Sequence, residues 1–96
     1  MKPSVALQTH RAAIRRLVEA HRARNARVFG SVLQGTDGDG SDLDLLVDAL
    51  PGATLFDLGG LQVELEELLG VPVDVLTPGD LPLKFRNQVL AQARPV

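Results

Sequence analysis

The chain has 96 residues, of which 45% are apolar, 23% are charged and none is cysteine. This length predicts a single domain, residues 1–96, whose folding hides roughly 60% of the unfolded surface. The lack of cysteine excludes disulfides and thiolate metal sites, and no apolar stretch approaches the roughly 20 residues that span a bilayer. A formal net charge of −2 argues against direct nucleic-acid binding. We expect a cytoplasmic protein with no membrane partner.

The charges are unevenly distributed along the chain. Residues 1–30 carry seven basic residues and a single acid, Glu19, whereas residues 31–80 carry eleven acids and neither lysine nor arginine. An acidic centre attracts cations, so composition alone predicts a metal ion as a partner of this chain.

The first third of the chain predicts a helix, a strand and a turn. Apolar residues spaced three and four apart indicate a helix from Ser4, as its N-cap, to about Ala23. Its histidines, His10 and His21, are interpreted as surface residues rather than metal ligands. The remaining elements here are a short buried strand, a Gly-Ser turn and one helical turn: Ala26–Phe29, Gly30-Ser31 and Val32–Gln34.

The remainder of the chain predicts two strands and two helices that alternate. Gly59-Gly60 leaves open whether the first of these helices begins at Thr54 or at Leu61, and Gly70 ends it. The three phenylalanines are expected in the core. The order α-β-(short α)-β-α-β-α predicts an α/β (α+β) domain with a mixed sheet of three or slightly more strands. After the Thr36–Ser41 loop, the elements are Leu43–Val47, Thr54–Leu69, Val71–Leu76 and Leu83–Ala93.

Three aspartates stand at matching places in two predicted strands. Asp42 and Asp44 are two residues apart, so their side chains leave the same face about 6.5–7 Å apart. Asp74 joins them if its strand lies beside theirs. Carboxylates buried beside apolar residues and beside each other are costly, and a divalent cation relieves that cost. Three such groups suit Mg²⁺ and have room for two ions about 3.5–4 Å apart, the arrangement used in phosphoryl transfer. Asp74 is a candidate base for the attacking hydroxyl.

The Gly30-Ser31 turn supplies a candidate phosphate site. Glycine allows close approach of the backbone to a ligand, and Ser31 adds a hydroxyl donor. Neither a Gly-Ser turn nor an Asp-x-Asp pair is specific alone. Together with the ten-residue gap between them and the third aspartate, they form a strong composite signal for nucleotide binding.

The stretch Val-Phe-Gly-Ser-(x)10-Asp-Leu-Asp-Leu-Leu-Val-Asp at residues 28–48 resembles the core motif of the MNT group. These are the minimal nucleotidyltransferases of the DNA polymerase beta-like superfamily. Residues 71–78, Val-Pro-Val-Asp-Val-Leu-Thr-Pro, are similar to the segment with that family's third acid. The resemblance covers nearly the whole chain and implies the nucleotidyltransferase fold.

The resemblance also implies a function and a partner. MNT proteins are antitoxins of HEPN-type ribonuclease toxins and, where active, transfer AMP from ATP to a toxin tyrosine. Asp42, Asp44 and Asp74 would then be the catalytic and metal-binding residues, and Gly30 and Ser31 would bind the nucleotide. The family's turn reads Gly-Ser-Arg-x-Arg-Gly, whereas this chain has Val32 and Gln34 at the arginine positions. Arg24, Arg27, Lys84 and Arg86 are the alternative sources of positive charge.

Two other functions remain open. One is a catalytically degenerate protein that neutralises its toxin by contact alone, which the missing turn arginines favour and the three aspartates oppose. The other is transfer to a small molecule or RNA, although so short a chain has no second domain to grip either. A calcium-binding EF-hand is excluded, because a loop counted from Asp37 has Asp42 where the turn glycine must stand.

Overall fold

The computed structural model describes all 96 residues. They form five α-helices, four strands and one 3-10 turn at Pro78–Asp80. The helices are α1 (Pro3–Thr9), α2 (Arg11–Ala20), α3 (Gly30–Gln34), α4 (Leu55–Leu69) and α5 (Leu83–Gln92). The strands are β1 (Ala23–Phe29), β2 (Leu43–Ala49), β3 (Val73–Leu76) and β4 (Arg94–Pro95).

The strands form one mixed sheet in the order β3-β2-β1-β4. Strand β2 runs antiparallel to β1 and parallel to β3, and β4 adds to the free edge of β1 in the antiparallel sense. A mixed sheet flanked by helices is the predicted fold class, which is therefore confirmed. The parallel pairing of β2 with β3 brings the two aspartate-bearing strands together.

One face of the sheet carries the hydrophobic core. Leu43, Leu45 and Val47 alternate along β2 and are fully buried on this face. Helices α1, α2 and α4 cover it with side chains that include Leu7, Ile14, Val18, Leu61 and Leu65. The predicted apolar faces of the first and central helices are therefore the faces that pack.

The opposite face of the sheet is partly polar. Asp44, Leu46 and Asp48 alternate with the core residues along β2, and Leu46 is buried although it lies outside the main core cluster. The 3-10 turn packs against β2, and Leu81, immediately after it, is also buried outside that cluster. This second face holds the predicted site.

Helix α4 begins at Leu55 despite its two glycines. The hydroxyl of Thr54 accepts a hydrogen bond from the Asp57 amide at 3.3 Å, and the Asp57 carboxylate accepts one from the Thr54 amide at 2.8 Å. This capping box compensates for the weak propensity of Gly59-Gly60, so the start at Thr54 is correct and the alternative at Leu61 is wrong. Gly70, at φ 69°, ends the helix as predicted.

The single N-terminal helix that the apolar spacing predicts is two helices. His10 has φ −122° and ψ 23°, which ends α1 before α2 begins. The apolar spacing continues across this break, so periodicity does not detect it. Ser4 is not the N-cap either: it lies inside α1, and its amide donates to the Asp37 carboxylate at 2.9 Å.

Two further expectations about individual side chains are wrong. Phe56 is 93% exposed and Phe85 is 49% exposed, so of the three phenylalanines expected in the core, only Phe29 is even partly buried. Leucine, valine and alanine fill the core without them.

No helix in the structure combines the length and the apolar character needed to cross a membrane.

Two strands differ from the prediction. Strand β1 begins at Ala23, three residues before the predicted start. A bulge with Asn25 at φ 56° interrupts its pairing with β2 near this end, which hides the extra residues from the apolar pattern. Strand β4 is not predicted at all. It has only two residues, one of them proline, and its position depends on pairing with Arg27 and Val28.

Candidate active site

The structure brings Asp44 and Asp74 together. In the parallel ladder between β2 and β3, Asp44 pairs directly with Asp74. Asp42 immediately precedes β2, and its negative charge is close enough to Asp44 to act on the Asp44 pKa. Asp44 is half-buried, whereas Asp42 and Asp74 are exposed. Strand pairing therefore brings two of the three predicted site residues together, and the convergence of all three carboxylates stays a prediction.

The Asp44 carboxylate is electrostatically strained. Burial, together with the negative charges of Asp74 and Asp42, raises the pKa of Asp44 from 3.8 to about 6. These causes, and a hydrogen bond between the Asp44 and Asp74 side chains as the smallest, all act against the charged form of the Asp44 carboxylate. A cation placed among these groups would act in the opposite direction.

The three site aspartates make no hydrogen bond or ion pair with any residue outside their own group; the one contact among them is a hydrogen bond between the Asp44 and Asp74 side chains. Every other aspartate of the chain has at least one protein partner, which shows that the fold usually satisfies these carboxylates. The five partnered residues are Asp37, Asp39, Asp48, Asp57 and Asp80. The unpartnered carboxylates are thus those that sequence spacing assigns to the site, and their oxygens are free to accept a ligand.

Gly30 lies against Asp44. Phe29 pairs with Asp44 across the β1–β2 ladder, so the next residue follows at the end of the strand beside the carboxylate. Gly30 has φ 73°, a left-handed conformation that favours glycine. A Cβ built there would collide with the Asp44 carboxylate. Glycine is therefore required both by the backbone and by the proximity of the site.

Ser31 follows Gly30 inside the five-residue helix α3, which contains the helical turn predicted at Val32–Gln34 and begins two residues earlier, so that the Gly-Ser pair is its first part. Its side chain is partly exposed, and its hydroxyl makes no hydrogen bond within the chain, so this oxygen is free to donate to a ligand. Val32 and Gln34, in the same short helix, bring no positive charge to the turn.

The site aspartates fit a hard divalent cation only if other ligands complete the metal's coordination shell. No group of three or more histidine, aspartate or glutamate side chains is arranged so that it could hold a metal ion by itself. Mg²⁺ is commonly bound by one or two carboxylates, with water and substrate phosphates completing its shell, rather than by an all-protein cage. The paired carboxylates of Asp44 and Asp74, with Asp42 beside them, are compatible with that mode.

Two of the four candidate basic residues already have structural partners. The Arg27 guanidinium pairs with Asp48, with its Nη2 3.1 Å from Asp48 Oδ1. Arg86 donates through Nη2 to the carbonyl oxygens of Gly79 and Leu81 at 3.2 and 3.0 Å. Lys84 lies 5.6 Å from the ring centroid of Phe85, and Arg24 is exposed. Each of the two arginines with structural partners, Arg27 and Arg86, keeps an Nε without a hydrogen-bond partner, so the structural contacts occupy only part of its donors.

The two histidines end helices. His10 is the C-cap of α1 and His21 is the C-cap of α2. The His21 Nε2 atom lies 3.1 Å from Glu64 Oε2, which connects α2 to α4. Both histidines have contacts of a structural kind, and neither lies on the strands that carry the site aspartates.

A cavity of about 190 Å³ lies beside Gly30, and sequence reasoning does not identify it. Gly30, Phe29 and Gln34 form one side, and α5 forms the other. The helical spacing of polar residues in α5 was the one sequence signal for this cavity. That spacing indicates a cavity only once α5 is known to lie near the end of β1. We call this space the Gly30 cavity.

Comparison with known proteins assigns the fold to a family. The family model described as "Nucleotidyltransferase domain" matches residues 7–96. Among curated proteins, "Putative protein adenylyltransferase MJ0435" of Methanocaldococcus jannaschii is 38% identical over 73 residues, which cover 76% of this chain and 78% of that protein.

Solved structures give the same assignment. The "Structure of putative minimal nucleotidyltransferase" has a TM-score of 0.86 and 43% identity, and the match covers 97% of this chain and 95% of that one. A chain of a toxin–antitoxin crystal structure with AMP-PNP has a TM-score of 0.70 at 24% identity, over 83% of this chain and 66% of that one. At this identity the second likeness establishes the fold alone. The chain belongs to the nucleotidyltransferase domain family and has the fold of its minimal members.

Proposed function

We propose that this chain transfers AMP from ATP, in the presence of Mg²⁺, to a tyrosine hydroxyl of a HEPN-type toxin and so acts as its antitoxin. The observation that carries the proposal is the set of three neighbouring aspartates without partners outside their own group, one of them with a raised pKa. The relatedness to a protein named as an adenylyltransferase supports the reaction type. The fold shared with a toxin–antitoxin chain agrees with the partner.

Each site residue has a proposed role. Asp42 and Asp44 hold Mg²⁺ together with the triphosphate, and Asp74 completes the metal site. When bound, the metal ions neutralise charge on the attacking and leaving oxygens. Gly30 lets the triphosphate approach the backbone, and the Ser31 hydroxyl donates to a phosphate oxygen.

The proposed reaction is a single displacement at the α-phosphorus. The tyrosine oxygen forms a bond to this phosphorus, and the bond to the bridging oxygen of the β-phosphate breaks, so pyrophosphate leaves. Asp74 accepts the tyrosine proton, for which its exposed position beside Asp44 is suitable. The partner supplies the acceptor because this chain contains no tyrosine.

The test is mass spectrometry of the toxin after incubation with this chain, ATP and Mg²⁺. We expect a mass increase equal to one or more AMP groups on a tyrosine. It should disappear with EDTA or with Asp42→Asn/Asp44→Asn. Asp39→Asn is the control for the loss of one negative charge at an exposed acid outside the site. Transfer that survives in the double variant would refute the site assignment.

The second candidate, neutralisation by contact alone, has its own supporting observation. Val32 and Gln34 leave the turn without positive charge, and the chain exposes large apolar side chains that suit a protein contact. Leu55, Phe56 and Leu83 are each at least 80% exposed. Cell survival separates the two functions: a contact antitoxin still protects cells when Asp42 and Asp44 are both asparagine, whereas an enzyme does not.

A further inference from the structure

We propose that the Gly30 cavity is the nucleobase subsite of this chain and that it selects adenine. The proposal rests on the proposed nucleotide site at Gly30, Ser31 and the three aspartates, and it adds the part of the nucleotide for which that site has no residues. The cavity and the carboxylates meet at Gly30, which lines the cavity and also lies against Asp44.

The first argument is the chemistry of the lining. No acidic or basic side chain lines the Gly30 cavity, whereas the other two cavities, of about 180 and 250 Å³, are each lined by two arginines. An uncharged cavity next to a strongly acidic site does not suit phosphates, but it suits the uncharged base of the same nucleotide. Its volume of about 190 Å³ is below the roughly 300–1,000 Å³ of cavities that hold larger ligands, so it suits a small group such as a base.

The second argument is the face that α5 presents. Phe85, Gln88, Val89 and Gln92 line the cavity, and their spacing of three, four and seven residues places them on one face of the helix. Helix α5 contributes no buried residue to the core. The face of α5 that borders the cavity is largely exposed and does not pack against the sheet.

The third argument is hydrogen bonding. The side-chain amides of Gln34, Gln88 and Gln92 make no hydrogen bond within the chain, whereas Gln8 accepts from Arg11 and Gln62 accepts from the Val75 amide. A glutamine amide can pair with the N6 and N7 positions of adenine, donating one hydrogen bond and accepting another. Phe29 and Phe85 add aromatic surface of the kind on which bases stack.

The test compares ligands with and without a base. Calorimetric titration measures the dissociation constants of ATP, GTP and inorganic tripolyphosphate, each with Mg²⁺. Wild-type chain should bind ATP more tightly than GTP and tripolyphosphate. Gln88→Leu/Gln92→Leu should weaken ATP binding about tenfold while the affinity for tripolyphosphate stays unchanged. Val89→Trp, which fills the cavity, should do the same.

Asn87→Leu is the matched control, because it removes an exposed amide from α5 outside the cavity. It should leave all three affinities unchanged, and circular dichroism verifies that each variant is folded. Unchanged ATP affinity in both cavity variants would overturn the subsite proposal, as would a wild type that binds tripolyphosphate as tightly as ATP. Both results leave the proposed function standing. If the cavity variants instead raise only the KM for the toxin, the cavity binds the acceptor and the proposal is wrong.

A wild-type chain that binds neither ATP nor tripolyphosphate, alone or with its toxin, would overturn the proposed function and the subsite together. The two failures are therefore distinguishable by tripolyphosphate, which contains the phosphates and lacks the base.

Discussion

Asp44 and Asp48 lie on the same strand and the same face of the sheet, four residues apart, yet their environments are opposite. Asp48 accepts hydrogen bonds from Arg27 Nη2 at 3.1 Å and from the Asn25 amide group at 2.9 Å, and these bonds lower its pKa. Asp44 has no such partner, and burial with the charges of Asp74 and Asp42 raises its pKa to about 6.

The difference separates a carboxylate with structural partners from one that the fold leaves uncompensated. The bonds of Asp48 connect β2 to the bulge in β1, so its charge is offset within the fold. The charge of Asp44 is offset by nothing in the chain, although an arginine stands on the neighbouring strand. A carboxylate that the fold leaves uncompensated, while it compensates another nearby, is a candidate position for a ligand.

The largest expected effect is on transfer. Asp42→Asn/Asp44→Asn should lower the rate of AMP transfer by a factor of about a hundred or more, since even residues that only orient metal ligands cost about 10–100-fold. Asp48→Asn should leave the rate within about twofold. Initial rates of AMP incorporation into the toxin measure both. Equal loss in the two proteins would remove the distinction between the two positions.

The next prediction compares alanine substitutions at Gly30 and Gly35, and it separates the cost of backbone strain from the cost of contact with Asp44. Gly30 and Gly35 both have φ 73°, but an added Cβ meets the Asp44 carboxylate only at Gly30. Gly30→Ala and Gly35→Ala should each lose about 1–2 kcal/mol of unfolding free energy from the strained backbone. Gly30→Ala should lose more because of the collision, and it alone should lose nucleotide binding.

Urea unfolding and calorimetric titration with ATP and Mg²⁺ provide the two measurements for this glycine pair. Retained nucleotide affinity in a folded Gly30→Ala protein would show that the proximity of Gly30 and Asp44 is unimportant for binding.

The structural role of Asp48 predicts a loss of stability without a loss of function. Asp48→Asn removes the charged partner of Arg27, whose side chain is only 13% exposed. Because Asp48 itself is partly exposed, the unfolding free energy at pH 7 should fall by about 1–2 kcal/mol rather than by the larger cost of a fully buried pair. Thermal unfolding measures this, and a melting temperature at or above that of the wild type would be the contrary result.

The smallest effect is the pH dependence of stability in metal-free buffer. Because the pKa of Asp44 rises from 3.8 to about 6 on folding, the folded state binds more protons between these values, and this carboxyl destabilises the fold increasingly as pH rises through that window. Asp44→Asn should therefore be more stable than wild type at pH 7, by up to about 1 kcal/mol for a half-buried group. The gain should disappear near pH 4.

Asp48→Asn should show the opposite sign of pH dependence. The pKa of Asp48 is lowered, so its contribution to stability is present above its ordinary pKa and is lost as pH falls through the folded value. Denaturation curves at several pH values with EDTA present test both variants. A gain for Asp44→Asn that does not depend on pH would mean that the carboxylate is not strained by its charge.

Local chemistry and spacing predicted the turn and the strand that carry the candidate site residues. The turn at Gly30-Ser31 and the strand that contains Asp44 follow from short-range patterns of apolar and turn residues. The pairing of Asp44 with Asp74 was correct because a strand–helix–strand segment favours a parallel neighbour.

What the sequence did not predict depends on contacts between distant segments. The break at His10 lies within uninterrupted helical spacing, and β4 exists only because it meets the edge of β1. Phe56 has an aromatic side chain of the kind usually found in a core, yet it lies on the surface. The Gly30 cavity likewise depends on where α5 lies, which no local pattern in residues 83–92 determines.

The most direct test of the account is calorimetric titration of ATP into wild type, Asp42→Asn/Asp44→Asn and Asp48→Asn, with Mg²⁺ and again with EDTA. The measurement uses the chain alone and in complex with its toxin. We predict Mg²⁺-dependent binding by wild type and Asp48→Asn, and none by the double variant. Binding that persists in the double variant, or that does not need Mg²⁺, would contradict the assignment of the unpartnered aspartates as the metal–nucleotide site.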